Sequence, residues 1–231
     1  MILRSPVQLA AMIDHTLLDA AAMEADIRKL CRQAAEYRFA AVCVTARWIS
    51  LAADLLRDSG TRTAGVAGFP LGAVSPRIKS LEAEELIMAG ADEVDMVADL
   101  AAILAGDEKT LRKDIQAVQK ICRMMKPAVT LKVIIESAAL TQEQIIFACR
   151  VGQDAGVDFL KTSTGMHKAG GATAEHVRLM AQTAPRCKIK AAGGIRTTEQ
   201  ALALIQAGAS RIGTSASIQI VDGFQASADR L

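Results

Sequence analysis

The sequence predicts an α/β chain folded as a (β/α)8 TIM barrel, and three observations predict it. Apolar, strand-like runs alternate with helix-like stretches from one end to the other, the order that builds a parallel sheet. Those runs number about eight, the barrel number. No low-complexity tract or Pro/Ser-rich linker divides the 231 residues, so residues 1–231 read as a single domain. Composition agrees with this. Hydrophobic residues make up 51% and aromatics only 3%, which leaves Ala, Val, Ile, Leu and Met to build helices over a buried sheet.

In chain order the expected strands are Ile13–Leu17, Ala41–Thr45, Thr63–Ala67, Glu93–Val97, Thr130–Ile135, Phe159–Ser163, Lys188–Ala191 and Ser210–Thr214. The segments between them carry helix punctuation. Ser75 before Pro76 pairs an N-cap with a proline at the first helical position, where the missing N–H has no intrahelical partner to lose, and Gly90 marks where that helix stops. Thr141 with Gln144, and Thr197 with Gln200, have the spacing of capping boxes. Leu111, Ile115, Val118 and Cys122 recur at helical spacing and read as plain core.

An internal echo carries more information. Ala89-Gly90, Ala155-Gly156 and Ala207-Gly208 each look like a helix end whose glycine takes the left-handed conformation before a strand begins. Five residues beyond those glycines stand Asp95, Lys161 and Gly213. Units built alike place these residues at equivalent heights on the fourth, sixth and eighth strands, and alternate strands share side-chain layers inside such a barrel.

Several function classes are disfavoured. A net charge of +2, from 27 basic and 25 acidic residues, gives no broad footprint for nucleic acid or an anionic membrane, though a small anionic ligand remains compatible. Five cysteines without a C-x-x-C pair argue against a disulfide framework and for a reducing compartment. His15, His167 and His176 form no zinc-type spacing, so no metal or other cofactor is expected. No run of roughly 18 uncharged apolar residues and no signal-like start is present, which places the chain in the cytoplasm.

Buried strands normally exclude charge, because taking an ammonium or carboxylate out of water costs several kcal/mol unless it is paired. Yet Asp95, Lys132, Lys161 and Lys190 all fall in strand-like runs. Lys132 reads as one half of a barrel-interior salt bridge. Lys161 leads into Thr162-Ser163-Thr164-Gly165, a strand that ends in a loop of small hydroxyl residues. Lys190 is followed by Gly193-Gly194 ahead of a capped helix, where glycine backbone lets N–H groups approach a phosphate closely. Gly213-Thr214-Ser215 supplies a second small-residue turn, and loops after strands seven and eight are the usual phosphate site of this fold.

These residues define a chemistry. A free lysine has a pKa near 10.4, so only about one in a few thousand holds a lone pair at neutral pH. An amine that attacks a carbonyl must therefore be depressed, by a second cation such as Lys190 and by the desolvated barrel. Lowering it by about three units costs on the order of 4 kcal/mol. The imine it forms withdraws electrons from the adjacent carbon–carbon bond, and Asp95 stands where it can relay protons.

Asp14-His15-Thr16-Leu17-Leu18, Gly68-Phe69-Pro70-Leu71-Gly72-Ala73 with Lys79 and Glu82, Glu93-Val94-Asp95-Met96-Val97 and Leu131-Lys132-Val133-Ile134-Ile135-Glu136 recur as motifs. So do Lys161-Thr162-Ser163-Thr164-Gly165, Gly170-Gly171-Ala172-Thr173, Lys190 to Thr197 and Arg211-Ile212-Gly213-Thr214-Ser215. Through them the chain resembles the deoxyribose-phosphate aldolases over nearly its entire length.

The resemblance implies reversible cleavage of 2-deoxy-D-ribose 5-phosphate to acetaldehyde and D-glyceraldehyde 3-phosphate. Lys161 would form the imine, Lys190 would perturb it and Asp95 would join the proton relay. Backbone around Gly165, Gly193, Gly194, Gly213 and Ser215 would hold the phosphate, with Asp14 and Cys43 lining the sugar pocket. It also allows a homodimer.

The chain departs from the family's usual pattern in five places. Thr45-Ala46 stand where Asn-Pro or Tyr-Pro is usual, Ala98-Asp99 where Ile-Asn is common, and Ser217 where a glycine often follows the last turn. The loop Met166-His167-Lys168-Ala169 is one residue longer than in many relatives and reads as solvated. Some members end in a tyrosine that assists proton transfer, whereas the sole tyrosine here is Tyr37. Two alternatives stay open: a Schiff-base aldolase or transaldolase acting on another phosphosugar, and a non-catalytic phosphosugar-binding homologue.

Overall fold

A computed structural model describes residue 3 and residues 5–228. Helix α1 (Pro6–Ala10) precedes strand β1 (Ile13–Leu17), and α2 (Glu24–Tyr37) leads to β2 (Ala41–Val44). Then follow α3 (Ile49–Leu56), β3 (Arg62–Ala67), α4 (Pro76–Met88) and β4 (Glu93–Val97). Two helices, α5 (Leu100–Ala105) and α6 (Glu108–Met124), separate β4 from β5 (Thr130–Ile134). The chain continues through α7 (Gln142–Asp154), β6 (Phe159–Lys161), α8 (Ala174–Thr183), β7 (Lys188–Ala192), α9 (Thr198–Gln206), β8 (Arg211–Thr214) and α10 (Ser217–Ala228). All eight strands pair in parallel, each with its neighbours in sequence, and β8 closes on β1. The expected (β/α)8 barrel is the observed one.

Local chemistry sets the boundaries. Ser75 accepts from the Ile78 N–H with Pro76 behind it. Thr141 with Gln144 and Thr197 with Gln200 form reciprocal capping boxes. Gly90, Gly156 and Gly208 take positive φ, at 102°, 77° and 119°, where a side chain would strain the turn into the next strand. β6 is shorter than the expected Phe159–Ser163, and Glu136 supplies the reason. Its backbone turns left-handed (φ 57°) after β5, so the last bond to this segment runs from the Ser137 N–H to the Thr162 carbonyl at 2.7 Å, and the Glu136 carboxylate captures the Thr164 N–H and hydroxyl.

The barrel is apolar outside and charged inside. Val42, Val44, Val94, Met96, Leu131, Val133, Leu160 and Ile212 are buried beneath the helices. Side chains alternate along a strand, so the intervening residues face inward. Round the barrel, Asp95 pairs with Lys132, Ile134 with Lys161, Lys161 with Lys190, Ala192 with Gly213 and Gly213 with Asp14. Thr16 then pairs with Cys43, Cys43 with Ala64, and Val66 returns to Asp95.

Each odd strand thus climbs by two residues, which sorts the interior into layers from alternate strands. One layer holds Ala41, Glu93, Phe159 and Arg211, the next Asp14, Ala64, Lys132 and Lys190, the third Cys43, Asp95, Lys161 and Gly213, and above it stand Thr16, Val66, Ile134 and Ala192. The equal heights expected for Asp95, Lys161 and Gly213 follow from this stagger.

Outside the barrel, one buried ion pair supports the loop after β3. Lys79 on α4 donates to Asp114 on α6 at 2.7 Å, both buried, and the same oxygen accepts from the Asp99 N–H at 2.9 Å. Gly68 lies directly over the Lys79 stem, where an added Cβ would meet Cε at 3.0 Å, and its N–H donates to Glu82 at 2.6 Å. Lys79→Met leaves the Asp114 carboxylate buried without its cation. It is expected to cost about 3–5 kcal/mol, read as a lowered Tm in thermal denaturation; an unchanged Tm would show the pair to be dispensable. Among the described residues, no helix is long and apolar enough to cross a membrane. All five cysteines are free, and four of them are buried.

Candidate active site

At the C-terminal ends of the strands lies a cavity of about 820 Å³. Lys161, Lys190, Gly165, Gly193, Gly194, Gly213 and Ser215 all line it. Asp95 lies just beneath and joins three lysines: Oδ2 accepts from Lys161 at 2.8 Å and Lys190 at 2.7 Å, and Oδ1 from Lys132 at 2.8 Å. The three expected catalytic residues therefore meet at one carboxylate.

Asp14 and Cys43 were expected to line the sugar pocket, and both are placed deeper. Asp14 is fully buried; one oxygen accepts from Lys190 and the other from Arg211 at 2.6 Å. Cys43 is buried among the charged groups, and its thiol is raised by burial and then by the Asp95 charge. Lys132 is salt-bridged as expected, contacting Glu93 and Asp95.

Sequence reasoning assigned no role to Glu93 or Arg211, which complete the network: Arg211 reaches Glu93 at 3.3 Å and crosses the Phe159 ring at 5.5 Å. Their signal was available, since each stands two residues before a singled-out position, on the same strand face.

The charges do not balance. Asp14, Glu93 and Asp95 face four barrel-interior cations, Lys132, Lys161, Lys190 and Arg211, and the exposed Arg62 also reaches Glu93 at 3.2 Å, so cations outnumber carboxylates. Lys161 is the one of the four that touches a single carboxylate. Its pKa is lowered: burial is the chief cause, Lys190 adds to it, and Asp95 opposes. Lys190 goes the other way, because Asp14 and Asp95 outweigh its burial. Burial likewise pushes Asp95 up, but Lys132, Lys161 and Lys190 overcome it and hold the carboxyl well below the usual range. Burial thus biases one lysine toward its neutral form while its neighbours hold their charges more firmly. It remains only 3% exposed, at the floor of the cavity.

Backbone forms the anion-binding wall. Gly165, Gly193 and Gly194 all have positive φ, at 82°, 91° and 75°. An added Cβ on Gly171 would strike the Gly193 carbonyl oxygen, so the two chains touch backbone to backbone. Gly213 plays a part beyond its expected backbone role: a Cβ there would lie 3.0 Å from Lys190 Cε, so its absence gives that side chain its room. Among the described residues, the N–H groups of Gly194, Ile195 and Ser215 have no acceptor within the protein. Such a nest of free donors suits a phosphate.

The departures are placed as well. Thr45 lines the cavity wall, and Asp99 caps α5, accepting from Ala102 at 3.0 Å. Ser217 is fully buried and lies behind the phosphate wall rather than on it. Met166, His167 and Lys168 line an adjoining apolar cavity of about 480 Å³, and the loop is largely exposed, as expected for a solvated segment. Tyr37, on α2, bonds Asp222 at 3.1 Å and is not among the residues lining the cavity. Residues 229–231, where a terminal tyrosine was sought, lie outside the described residues. Among those described, no group of three His, Cys, Asp or Glu side chains is placed to hold a metal ion.

The chain is similar to proteins of known kind along nearly its whole length. It is 45% identical over 226 residues to a deoxyribose-phosphate aldolase of Carboxydothermus hydrogenoformans, covering 97% of this chain and 99% of that protein. It is 46% identical over 222 residues to one from a Geobacillus species, covering 96% and 98%. The solved tetrameric deoxyribose phosphate aldolase of Aeropyrum pernix superimposes with a TM-score of 0.89 at 31% identity, covering 96% of this chain and 92% of that one. A family model described as DeoC/LacD family aldolase matches residues 8–221, and the chain belongs to that family.

Proposed function

We propose that this chain cleaves 2-deoxy-D-ribose 5-phosphate reversibly to acetaldehyde and D-glyceraldehyde 3-phosphate through an imine on Lys161. The observation that carries the reading is the depressed Lys161 amine, at the floor of a cavity whose opposite wall presents free backbone donors. In this reading the N–H groups around Gly165, Gly193, Gly194, Gly213 and Ser215 hold the phosphate and bring the C1 aldehyde to Lys161. The neutral amine adds to that carbon, and loss of water leaves a protonated imine.

A proton leaves the C3 hydroxyl, the C2–C3 bond breaks, and the electron pair passes into an enamine as glyceraldehyde 3-phosphate departs. Protonation of the enamine at C2 and hydrolysis of the imine then release acetaldehyde and restore Lys161. Asp95 is a weak base while three ammonium groups surround it; once the Lys161 nitrogen is neutral, one of those charges is gone and the carboxylate can pass protons through Lys190 or water. Lys190 and Lys132 stay charged and hold Asp95 in place.

Acetaldehyde with borohydride should add a two-carbon mass to the Lys161 peptide at a pH well below the range of ordinary lysines. Repeating the trapping in Lys190→Met tests the cause of the shift. Removing that cation takes away a group that lowers Lys161, so the titration should move to higher pH; an unmoved profile would remove Lys190 from the account. Turnover compared across phosphosugars separates this reaction from that of another Schiff-base aldolase.

Residues 1–231 are read here as one aldolase domain working in the cytoplasm, a compartment that suits five free thiols. Analytical ultracentrifugation tests the expected homodimer against the tetramer of the Aeropyrum pernix relative.

A further inference from the structure

Behind the phosphate wall runs a buried line of hydrogen bonds that none of the chemistry above uses. The Thr214 hydroxyl donates to the Ile195 carbonyl at 2.6 Å, crossing from the end of β8 to the turn after β7, and accepts from the Ala216 N–H at 2.9 Å. Ser217 donates its single hydroxyl proton to the Thr214 carbonyl at 3.1 Å. Its oxygen also lies 3.0 Å from His15 Nδ1. Burial lowers the His15 pKa. On the far side of the ring, Nε2 lies 3.3 Å from Gln33 Oε1 on α2. Phe39 packs on the ring at 5.1 Å.

We infer that Thr214, Ser217 and His15 are positioning residues that fix the spacing between the two phosphate-binding turns and thereby set the preference for phosphorylated substrates. The inference rests on the function proposed above. Its physical content is geometric: the free donors of Gly194 and Ile195 stand on one turn and that of Ser215 on the other. A phosphate bridges both, and the Thr214–Ile195 bond is the direct tie between them. Ser217 and His15 hold the Thr214 carbonyl from behind, so the turn cannot rotate without breaking a buried bond. The line touches no reacting atom. Its loss should loosen phosphate binding and leave the imine chemistry intact.

Ser217→Ala should lower kcat/KM for 2-deoxyribose 5-phosphate about tenfold, through KM, with kcat within about twofold. For unphosphorylated 2-deoxyribose, kcat/KM should hold within about twofold. Thr214→Val should show the same split, and Thr214→Ser, which keeps the hydroxyl, should restore the parent values. Inorganic phosphate titrated calorimetrically gives a readout independent of turnover: its affinity should fall in Ser217→Ala and Thr214→Val but not in Thr214→Ser. Equal losses on both substrates, or unchanged phosphate affinity in Ser217→Ala, would overturn the inference. Should the parent bind phosphate yet fail to turn over deoxyribose phosphate, the proposed reaction falls while the phosphate titrations still decide the positioning role. If Thr214→Val does not fold, Ser217→Ala decides alone.

Discussion

Lys161→Met is expected to abolish turnover, by on the order of 10⁴-fold or more, and to leave the barrel at least as stable as the parent. The first half follows from chemistry: no other lysine of the network is released from its charge. Lys190 is held by Asp14 and Asp95, and Lys132 by Glu93 and Asp95, and the pKa of each is raised despite its burial. The second half follows from the excess of cations over the three carboxylates, since methionine removes one of them.

The pH dependence gives the sign. The folded pKa of Lys161 lies below its unfolded value, so the unfolded chain binds more protons between the two, and the parent gains stability as pH rises through that window. The methionine variant lacks that slope. Urea titrations of both proteins across the window, with borohydride trapping alongside, test the account. Residual trapping on another peptide, or identical pH slopes, would remove Lys161 from its role.

Asp95→Asn should separate the nucleophile from the proton relay. Three lysines converge on this carboxylate, and without its charge they face one another with only Asp14 and Glu93 to compensate. Breaking a buried network in this way costs about 3–5 kcal/mol. Asp95 is the charge that raises the Lys161 pKa, so its removal lowers that pKa further, and trapping should persist at still lower pH. Turnover should nevertheless fall by about 10²–10⁴, the usual worth of a positioned acid or base.

The stability difference has its own window. The folded pKa of Asp95 is depressed, so its contribution is complete above the unfolded carboxylate value of about 3.9 and is lost as pH falls toward the folded value. Parent and variant should therefore converge in stability in acid. Trapping lost together with turnover would assign Asp95 a structural role only.

Much of this was legible before any coordinates, and the reason is locality. A capping box such as Thr197 with Gln200, or a left-handed glycine such as Gly156, is decided within a few residues, so its pattern survives in the sequence. The same holds for Lys161: a charge inside an apolar run is anomalous wherever the run folds. The end of β6 was misjudged because Glu136, more than twenty residues earlier, takes the Thr164 donors, and no local signal announces that.

The sequence by itself determined the strands, their helix punctuation and the residue types that enter the barrel, because alternation and capping are short-range. Only the tertiary structure decided how Lys161, already singled out by its loop, is set apart electrostatically. Lys132, Lys161 and Lys190 each occupy an inward position, and the loops after Lys161 and Lys190 separate them from Lys132 in the sequence, but no local pattern shows which carboxylates each one meets. That pairing comes from closure. The stagger accumulated around eight strands sets Asp14 beside Lys190 and Glu93 beside Lys132, and leaves Lys161 with a shared carboxylate and an open floor above it. Electrostatic energy inside a barrel depends on distances across it, and those exist only once the last strand has paired with the first.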